Sequence, residues 1–292
     1  MKVDEDIVLI AGPTASGKTG LAIEIANANN GVIINADSMQ IYSDLRIITA
    51  RPSAKEEASA PHYLFGFKSG AEAFSVAQWL AAVEALLSQF RGEGLKLIFV
   101  GGTGLYFNAL INGLSPVPEI DPAIRNKWRD ASDVATEDLH KELSALDELA
   151  AIQLRTSDRQ RIIRALEVYE SSGKSIFDWQ EEQGEPLLTS ELNLKKLLLM
   201  PERKLLHERI NLRFDLMIDE GAIREVELLV DQKLDPKLPV MKAIGVPQIA
   251  SYLRDEVSLE DAIEKAKAAT RQYAKRQSTW FRNSFDGGWE TL

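Results

Sequence analysis

The residue run most able to do chemistry is Gly12-Pro13-Thr14-Ala15-Ser16-Gly17-Lys18-Thr19, which fits the phosphate-loop spacing G-x-x-x-x-G-K-[ST]. Its glycines let backbone N–H groups converge on phosphate oxygens, and the helix expected to follow adds the positive end of its dipole. Lys18 supplies a cation to the outer phosphates, and the Thr19 hydroxyl can bind Mg²⁺. Asp37, in Ala36-Asp37-Ser38-Met39-Gln40-Ile41-Tyr42, can ligate Mg²⁺ through water or take a proton from an acceptor. It can equally cap a helix beginning at Ser38, and spacing alone does not separate these roles. Gly101-Gly102-Thr103-Gly104 can bring backbone close to a ligand beside the Thr103 hydroxyl, or simply turn a strand into a helix. Many phosphate-loop hydrolases end a strand on a magnesium-binding aspartate. Here no apolar run ends in an evident one, which weighs against hydrolase and motor readings.

Basic residues form a further group. Lys265 to Arg282 holds six cations and no acid, in a chain of net charge −10. On a helix, Lys267, Arg271, Lys275 and Arg282 share one face, and Ala262, Ala266, Ala269, Tyr273 and Trp280 another. Such a face suits an RNA backbone with base stacking, and equally a solvated surface. Arg155, Arg159, Arg161 and Arg164 make a second cluster. Two basic clusters in an acidic chain point to a polyanion gripped by both. His62, His140 and His207 fit no metal-ligand spacing, and no serine-histidine-aspartate arrangement is legible.

These residues need elements to hold them. Ile7–Ala11, Val32–Asn35 and Leu95–Val100 read as strands, each leading into one of the turns above. Helical patterns lie between them, so the fold class expected is α/β, a parallel sheet flanked by helices, with the turns facing one crevice at the strands' carboxyl ends. A proline-rich stretch after Asn112 reads as a linker, and helical patterns fill the region from Asp121 to about Gly184. In Ser157–Lys174 a capping box of Ser157 with Gln160 and a C-terminal cap at Gly173 bracket a stripe of Ile162, Leu166 and Tyr169. Leu192–Met200 reads as a return to strand, with helices from there to the end. The expected organisation is a core of residues 1–113 and 194–292 with an all-helical insertion at 114–193.

The 292 residues, 45% hydrophobic and 27% charged, are ordinary for a soluble globular protein. There is no cysteine, hence no disulfide framework and no thiolate metal site. The acidic start, Met1 to Asp6, does not read as a signal peptide, and no apolar run approaches the roughly 20 residues a bilayer needs.

Taken together the motifs closely resemble one family, the tRNA isopentenyltransferases (tRNA dimethylallyltransferases). The resemblance rests on GPTASGKT (Gly12–Thr19), ADSMQIY (Ala36–Tyr42), GGTGLYFNAL (Gly101–Leu110), DRQRIIRALEVYESSGK (Asp158–Lys174), RFDLMIDEGAIREV (Arg213–Val226) and TRQYAKRQSTWFR (Thr270–Arg282). They follow the family's order and span nearly the whole chain. Two departures stand out. Ile48-Thr49-Ala50-Arg51-Pro52 replaces the family's Gly-Thr-Ala-Lys-Pro, and Gly245-Val246-Pro247 stands where the family has Gly-Tyr. With no Cys/His zinc finger after the core, the resemblance is to the shorter, bacterial type.

The resemblance implies transfer of a dimethylallyl group from its diphosphate to the exocyclic amine of the tRNA adenosine immediately 3′ of the anticodon. It implies Asp37 as general base, with Thr103, Lys18 and Arg213 completing the catalytic set, and Gly12 through Thr19 as the diphosphate cradle with Mg²⁺ on Thr19. It implies tRNA contacts at Asp37, Ser38, Met39, Gln40, Thr103, Arg125, Gln160, Arg161, Arg164, Lys242, Gly245, Arg271, Lys275, Arg276, Gln277, Trp280 and Arg282. The partners expected are a tRNA anticodon stem-loop and dimethylallyl diphosphate, for a cytoplasmic monomer with no membrane partner. Competing readings are a small-molecule or nucleotide kinase, an isopentenyltransferase acting on free AMP, and a non-catalytic RNA-binding protein. The AMP enzyme would need neither the insertion nor two basic clusters.

Overall fold

A computed structural model describes residues 1–131, 133–182, 184–189, 192–285 and 287–292. The chain divides into two compact units, Met1–Ile111 with Leu187–Leu292, and Asn112–Pro186. In chain order the first unit opens with β1 (Ile7–Ala11), α1 (Lys18–Asn29), β2 (Gly31–Asn35), α2 (Ala54–Ser59), β3 (His62–Tyr63), α3 (Val76–Gln89), β4 (Lys96–Gly101) and α4 (Gly104–Asn112). The second unit holds α5 (Pro122–Asp130), α6 (Thr136–Leu146), α7 (Glu148–Gln153), α8 (Arg159–Ser172) and α9 (Ile176–Glu181). The first resumes with β5 (Leu194–Leu198), α10 (Arg203–Asp219), α11 (Ala222–Asp231), α12 (Val246–Leu253), α13 (Leu259–Ser284) and β6 (Glu290–Thr291).

The strands form one parallel sheet in the order β3-β2-β4-β1-β5-β6. β1 and β2 are buried at every position, as continuous apolar runs must be when both sheet faces are covered. The pleat sends alternate residues to opposite cores. Ile7, Leu9 and Ala11 join Ile34, Phe99, Trp79 and Phe107 on one face, while Val8 and Ile10 join Ile33, Ile98, Ala22 and Ile25 on the other. The order puts β4 between β1 and β2. The Gly102–Thr103 turn is therefore interposed between the phosphate loop and Asp37.

The inserted unit ends at Pro186, before the expected boundary at 193, and the chain rejoins the core ahead of β5. Leu188 donates its N–H to Leu110 O at 2.9 Å and packs in the sheet's larger core. The expectation of helices to the C-terminus is corrected by β6, whose two residues pair with Leu197 and Leu198. A two-residue strand carries no periodicity to read. β3 escapes notice for the same reason.

The second unit has its own core of Trp128, Leu139, Leu143, Ile162 and Leu166. The Ser157/Gln160 capping box is also corrected. Asp158 caps α8 by accepting from Arg161 N–H at 3.3 Å, one residue later than expected. Gly173, at φ 68°, ends that helix as expected.

Candidate active site

The phosphate loop bridges β1 and α1. Gly17 stands at φ 96°, a conformation open to glycine at little cost, and it caps the helix whose first residue is Lys18. Ser16 N–H closes the turn on Pro13 O at 3.3 Å, and Lys18 Nζ reaches back to Pro13 O at 2.6 Å and Ser16 Oγ at 3.4 Å. Burial lowers the Lys18 pKa to about 7, against a raising influence from Asp37, and Arg213 lowers it further. A lysine so enclosed is ready to gain charge when an anion arrives. Arg213, on α10, donates to Thr14 Oγ1, and burial brings its pKa down to about 10 although Asp37 opposes the shift.

The carboxylate turn is clamped from beneath. Asn35, fully buried at the end of β2, accepts from Asp37 N–H at 2.8 Å and donates to Asp37 O at 2.9 Å and Leu64 O at 3.0 Å. Trp79 Nε1 donates to Asn35 O at 2.9 Å. Asp37 does not cap a helix, because no helix follows it. Its Oδ1 accepts from Met39 N–H at 2.9 Å, a local Asx turn that aims the carboxylate. Thr103 Oγ1 accepts from Ser38 N–H at 3.0 Å and lies 3.3 Å from Ser38 Oγ, joining the turn after β4 to the turn after β2. Gly104 is required for a different reason: a Cβ there would sit 2.0 Å from the Trp280 ring.

A cavity of about 590 Å³ opens over these turns. Thr14–Gly20 line it together with Asp37–Gln40 and the end of β4, Val100 and Gly101, so the first two turns face one crevice. The third is corrected: Gly102, Thr103 and Gly104 stand outside the lining, and Thr103 meets the site through Ser38. Arg209, Arg213, Lys242, Tyr273 and Arg276 add polar groups, and Ile48, Phe65, Phe214, Met217 and Ile244 give apolar wall. Gly12 and Pro13 lie behind the lining; the cradle's inner surface starts at Thr14. Burial and the Asp37 carboxylate raise the Tyr273 phenol pKa well above its usual value, keeping it neutral. Sequence reasoning missed Arg209, one helical turn before Arg213, although that spacing on α10 was a usable signal. It also placed Tyr273 on an apolar face, whereas the ring lines the cavity and Arg276 lies 5.7 Å from its centroid.

The two departures from the family pattern meet at one place. Ile48 packs where a Cβ on Gly245 would fall, 2.5 Å from Ile48 Cδ1, and Val246 belongs to the same apolar cluster. The turn carrying Ile48 is held by one carboxylate: Glu225 accepts from Arg46 N–H at 2.6 Å, Ile47 N–H at 2.8 Å and Ile48 N–H at 2.9 Å. Glu225→Ala is expected to lower the unfolding free energy by about 2 kcal/mol in urea titrations, since it strands three donors on a half-buried turn. An unchanged midpoint would mean that the turn holds itself.

The expected RNA-binding residues fall into different settings. Asp37, Ser38, Met39, Gln40 and Lys242 line the cavity, although the Gln40 amide already donates to Thr49 O and Ala50 O at 3.0 Å each. Gly245 is buried, and Gln277 is 5% exposed with its amide engaged by the protein. Lys275, Arg276 and Arg282 are exposed on α13, and Trp280 is half-buried beside Gly104. The expected face of α13 is corrected at its first two members. Lys267 is 9% exposed and pairs with Asp215 at 2.7 Å and Glu264 at 3.1 Å, and Arg271 donates to Asn211 Oδ1 at 2.6 Å. Both cations are spent on docking α13 to its neighbours. Arg125, Gln160, Arg161 and Arg164 belong to α5 and α8 of the second unit. There Arg164 faces the buried Glu167 at 3.4 Å, and Arg159 is taken up by Val134 O and Ala131 O.

Among the described residues no three His, Cys, Asp or Glu side chains group as a metal site. The loop offers Thr19 Oγ1, with the Asp37 carboxylate on the same cavity. So sparse a set suits magnesium, which keeps waters and leans on substrate phosphates, and does not suit zinc.

The chain is similar to known proteins over its whole length. The family model described as "IPP transferase" matches residues 40–284, and that described as "Isopentenyl transferase" matches residues 5–65. A tRNA dimethylallyltransferase of Allorhizobium ampelinum is 50% identical over 288 residues, covering 98% of this chain and 94% of that one. Its counterpart from Bartonella henselae is 49% identical over 287 residues, covering 98% of each. Among solved structures, the tRNA isopentenylpyrophosphate transferase of Bacillus halodurans aligns with a TM-score of 0.70 at 35% identity, over 99% of this chain and 90% of that one. A eukaryotic dimethylallyltransferase acting on tRNA aligns with a TM-score of 0.79 at 28% identity, over 95% and 70%.

Proposed function

The chain belongs to the tRNA dimethylallyltransferase family, and on that premise we propose that its cavity moves a dimethylallyl group from dimethylallyl diphosphate to the exocyclic amine of the tRNA adenosine 3′ of the anticodon. One observation carries the reading: a phosphate cradle with Lys18 and Arg213 shares a single cavity with an aimed carboxylate, Asp37. The apolar wall of Ile48, Phe214 and Met217 suits a partner that is not wholly charged.

The chemistry follows from the charges. An adenine amine is a weak nucleophile, its lone pair delocalised into the ring, while the allylic carbon can take cationic character as its C–O bond lengthens. The N–C bond forms, the C–O electron pair leaves with the diphosphate, and the amine proton passes to Asp37. The groups that lower the barrier are those that stabilise charge growing on the leaving group: Lys18, Arg213 and the loop N–H groups. Asp37 orients the amine and accepts its proton, and Thr103 fixes the turn that carries it. Thr19, with the diphosphate oxygens, would hold a magnesium ion, which supplies further neutralisation of the leaving group. The acceptor base enters most cheaply from a single-stranded loop, where it need not be unpaired. Lys275, Arg276 and Arg282 supply backbone contacts whose strength falls with salt. A monomer in the cytoplasm suffices for this reaction, and no helix of the described residues is long and apolar enough to cross a membrane.

Mass analysis of an anticodon stem-loop RNA incubated with protein, Mg²⁺ and dimethylallyl diphosphate tests the reading. One added allyl group on the target adenine is expected. Phosphoryl transfer from ATP to some acceptor, with no allyl product, would assign the cavity to a kinase instead.

The Lys18 pKa near 7 makes a separate prediction. Below pH 7 the free protein already holds the proton; above it, the lysine must gain one when it meets the diphosphate. Donor affinity therefore falls as pH rises from 6 to 8.5, and binding takes up an extra proton at pH 8. Calorimetry in buffers of different ionisation enthalpy reads this directly. Lys18→Met should lack the extra uptake, and equal uptake by both proteins would contradict the assignment.

A further inference from the structure

Within Thr270–Arg282, Gln277 is the one polar residue that is buried. It shares its buried stripe with Ala274 and Phe281, yet it is an amide. Burying an amide among apolar side chains costs free energy unless both ends are bonded. Here both are, and both partners belong to the candidate active site: Oε1 accepts from Thr14 N–H of the phosphate loop at 2.9 Å, and Nε2 donates to Gly102 O at 2.8 Å. Thr14 bears the hydroxyl that Arg213 donates to, and Gly102 precedes Thr103, which holds the Asp37 turn.

The two partners fix the side chain's identity. Thr14 N–H can only donate and Gly102 O can only accept, so the group between them must accept at one end and donate at the other, in one orientation. An ionised carboxylate cannot donate, and an ammonium cannot accept. The fit is close as well: a Cβ on Gly102 would lie 2.3 Å from Gln277 Nε2 and 3.3 Å from Asp37 Oδ2.

We propose that Gln277 is a positioning residue that locks the diphosphate loop to the turn beside the general base, and is not itself an RNA contact. The proposal rests on the transfer reaction inferred above. β4 separates β1 from β2, so donor and acceptor groups stand on turns two strands apart, and Gln277 spans the first of the two gaps. It does so from the helix whose outer face carries Lys275 and Arg276. A misplacement of about 1 Å between reacting groups costs on the order of 100-fold in rate.

The test compares the full-length protein with Gln277→Met, which keeps volume and loses both bonds, and Gln277→Glu, which regains both only when its carboxyl is protonated. Inorganic diphosphate binding, stem-loop binding and turnover are measured for each. Expected for Gln277→Met are diphosphate binding weakened about 10-fold and turnover lowered about 10- to 100-fold, with stem-loop affinity within about twofold of the parent. For Gln277→Glu, activity relative to the parent should rise as pH is lowered from 8 to 6, a rescue that lost packing alone would not give. Gly102→Ala, pressing on the same amide from the other side, should give the same split even if the methionine variant folds poorly. Diphosphate binding at the parent's strength, with stem-loop affinity lost, would overturn the proposal and make Gln277 an RNA contact. A parent protein that takes up no diphosphate would overturn the transfer reading itself, and this inference with it.

Discussion

Asp37→Asn is expected to lower turnover by about 10²- to 10⁴-fold, the range for losing a positioned general base. The substitution is a mild one structurally. An asparagine Oδ1 still accepts from Met39 N–H, and the Asn35 clamp binds the backbone of residue 37, whatever its side chain. What is lost is the negative charge and the proton acceptor. Diphosphate affinity at pH 6 should be retained or improved, because one anion has been removed from an anion's cavity. Asp37 also raises the Lys18 pKa, so its loss should move the pH dependence of donor binding to lower pH. Single-turnover kinetics on stem-loop RNA and donor titrations separate the two effects. A variant with normal single-turnover rates would remove Asp37 from the chemistry.

Arg213→Gln is expected to cost about 10²- to 10³-fold in turnover, as loss of one pre-aimed donor to developing negative charge does elsewhere. Arg213 is enclosed, bonded to the phosphate loop through Thr14, and its charge is felt by Lys18. Removing it should raise the Lys18 pKa, the opposite of the Asp37 variant, so the donor-binding profile should move to higher pH. Opposite displacements from two substitutions in one cavity are a stringent check on the electrostatics. Shifts in the same direction would mean that Lys18 does not sit between the two charges. Arg213→Lys is not expected to rescue fully, since a point charge cannot copy a guanidinium fork that bonds Thr14 while facing a diphosphate.

Much of this site was legible in the sequence, for identifiable reasons. The phosphate loop, Asp37 and Thr103 each follow a continuous apolar strand, and the parallel sheet forces strand ends to one side. Gly173 and the boundaries of α8 were legible within a residue or so because helix ends carry their own chemistry. What could not be read was which way a residue on an amphipathic helix faces when polar residues pack inward. Lys267 and Gln277 look like surface residues by type. Lys267 is buried by its pairing with Asp215, and Gln277 by two backbone partners far away in the chain. Glu225 was silent for the same reason, since its three partners lie nearly 180 residues upstream. Composition could not reveal the pairing of Ile48 with Gly245 either, because it links two loops only through the fold.

The central claim is that one cavity seats the leaving diphosphate on the Thr14–Thr19 loop while Asp37 faces the acceptor amine. The most direct test is a crystal structure with an anticodon stem-loop and a non-cleavable thio analogue of dimethylallyl diphosphate. The account predicts the diphosphate against Lys18, Arg213 and the loop N–H groups, the adenine flipped out, and its amine between the allylic carbon and the Asp37 carboxylate. A diphosphate seated away from the loop, or an adenine amine out of reach of Asp37, would contradict it.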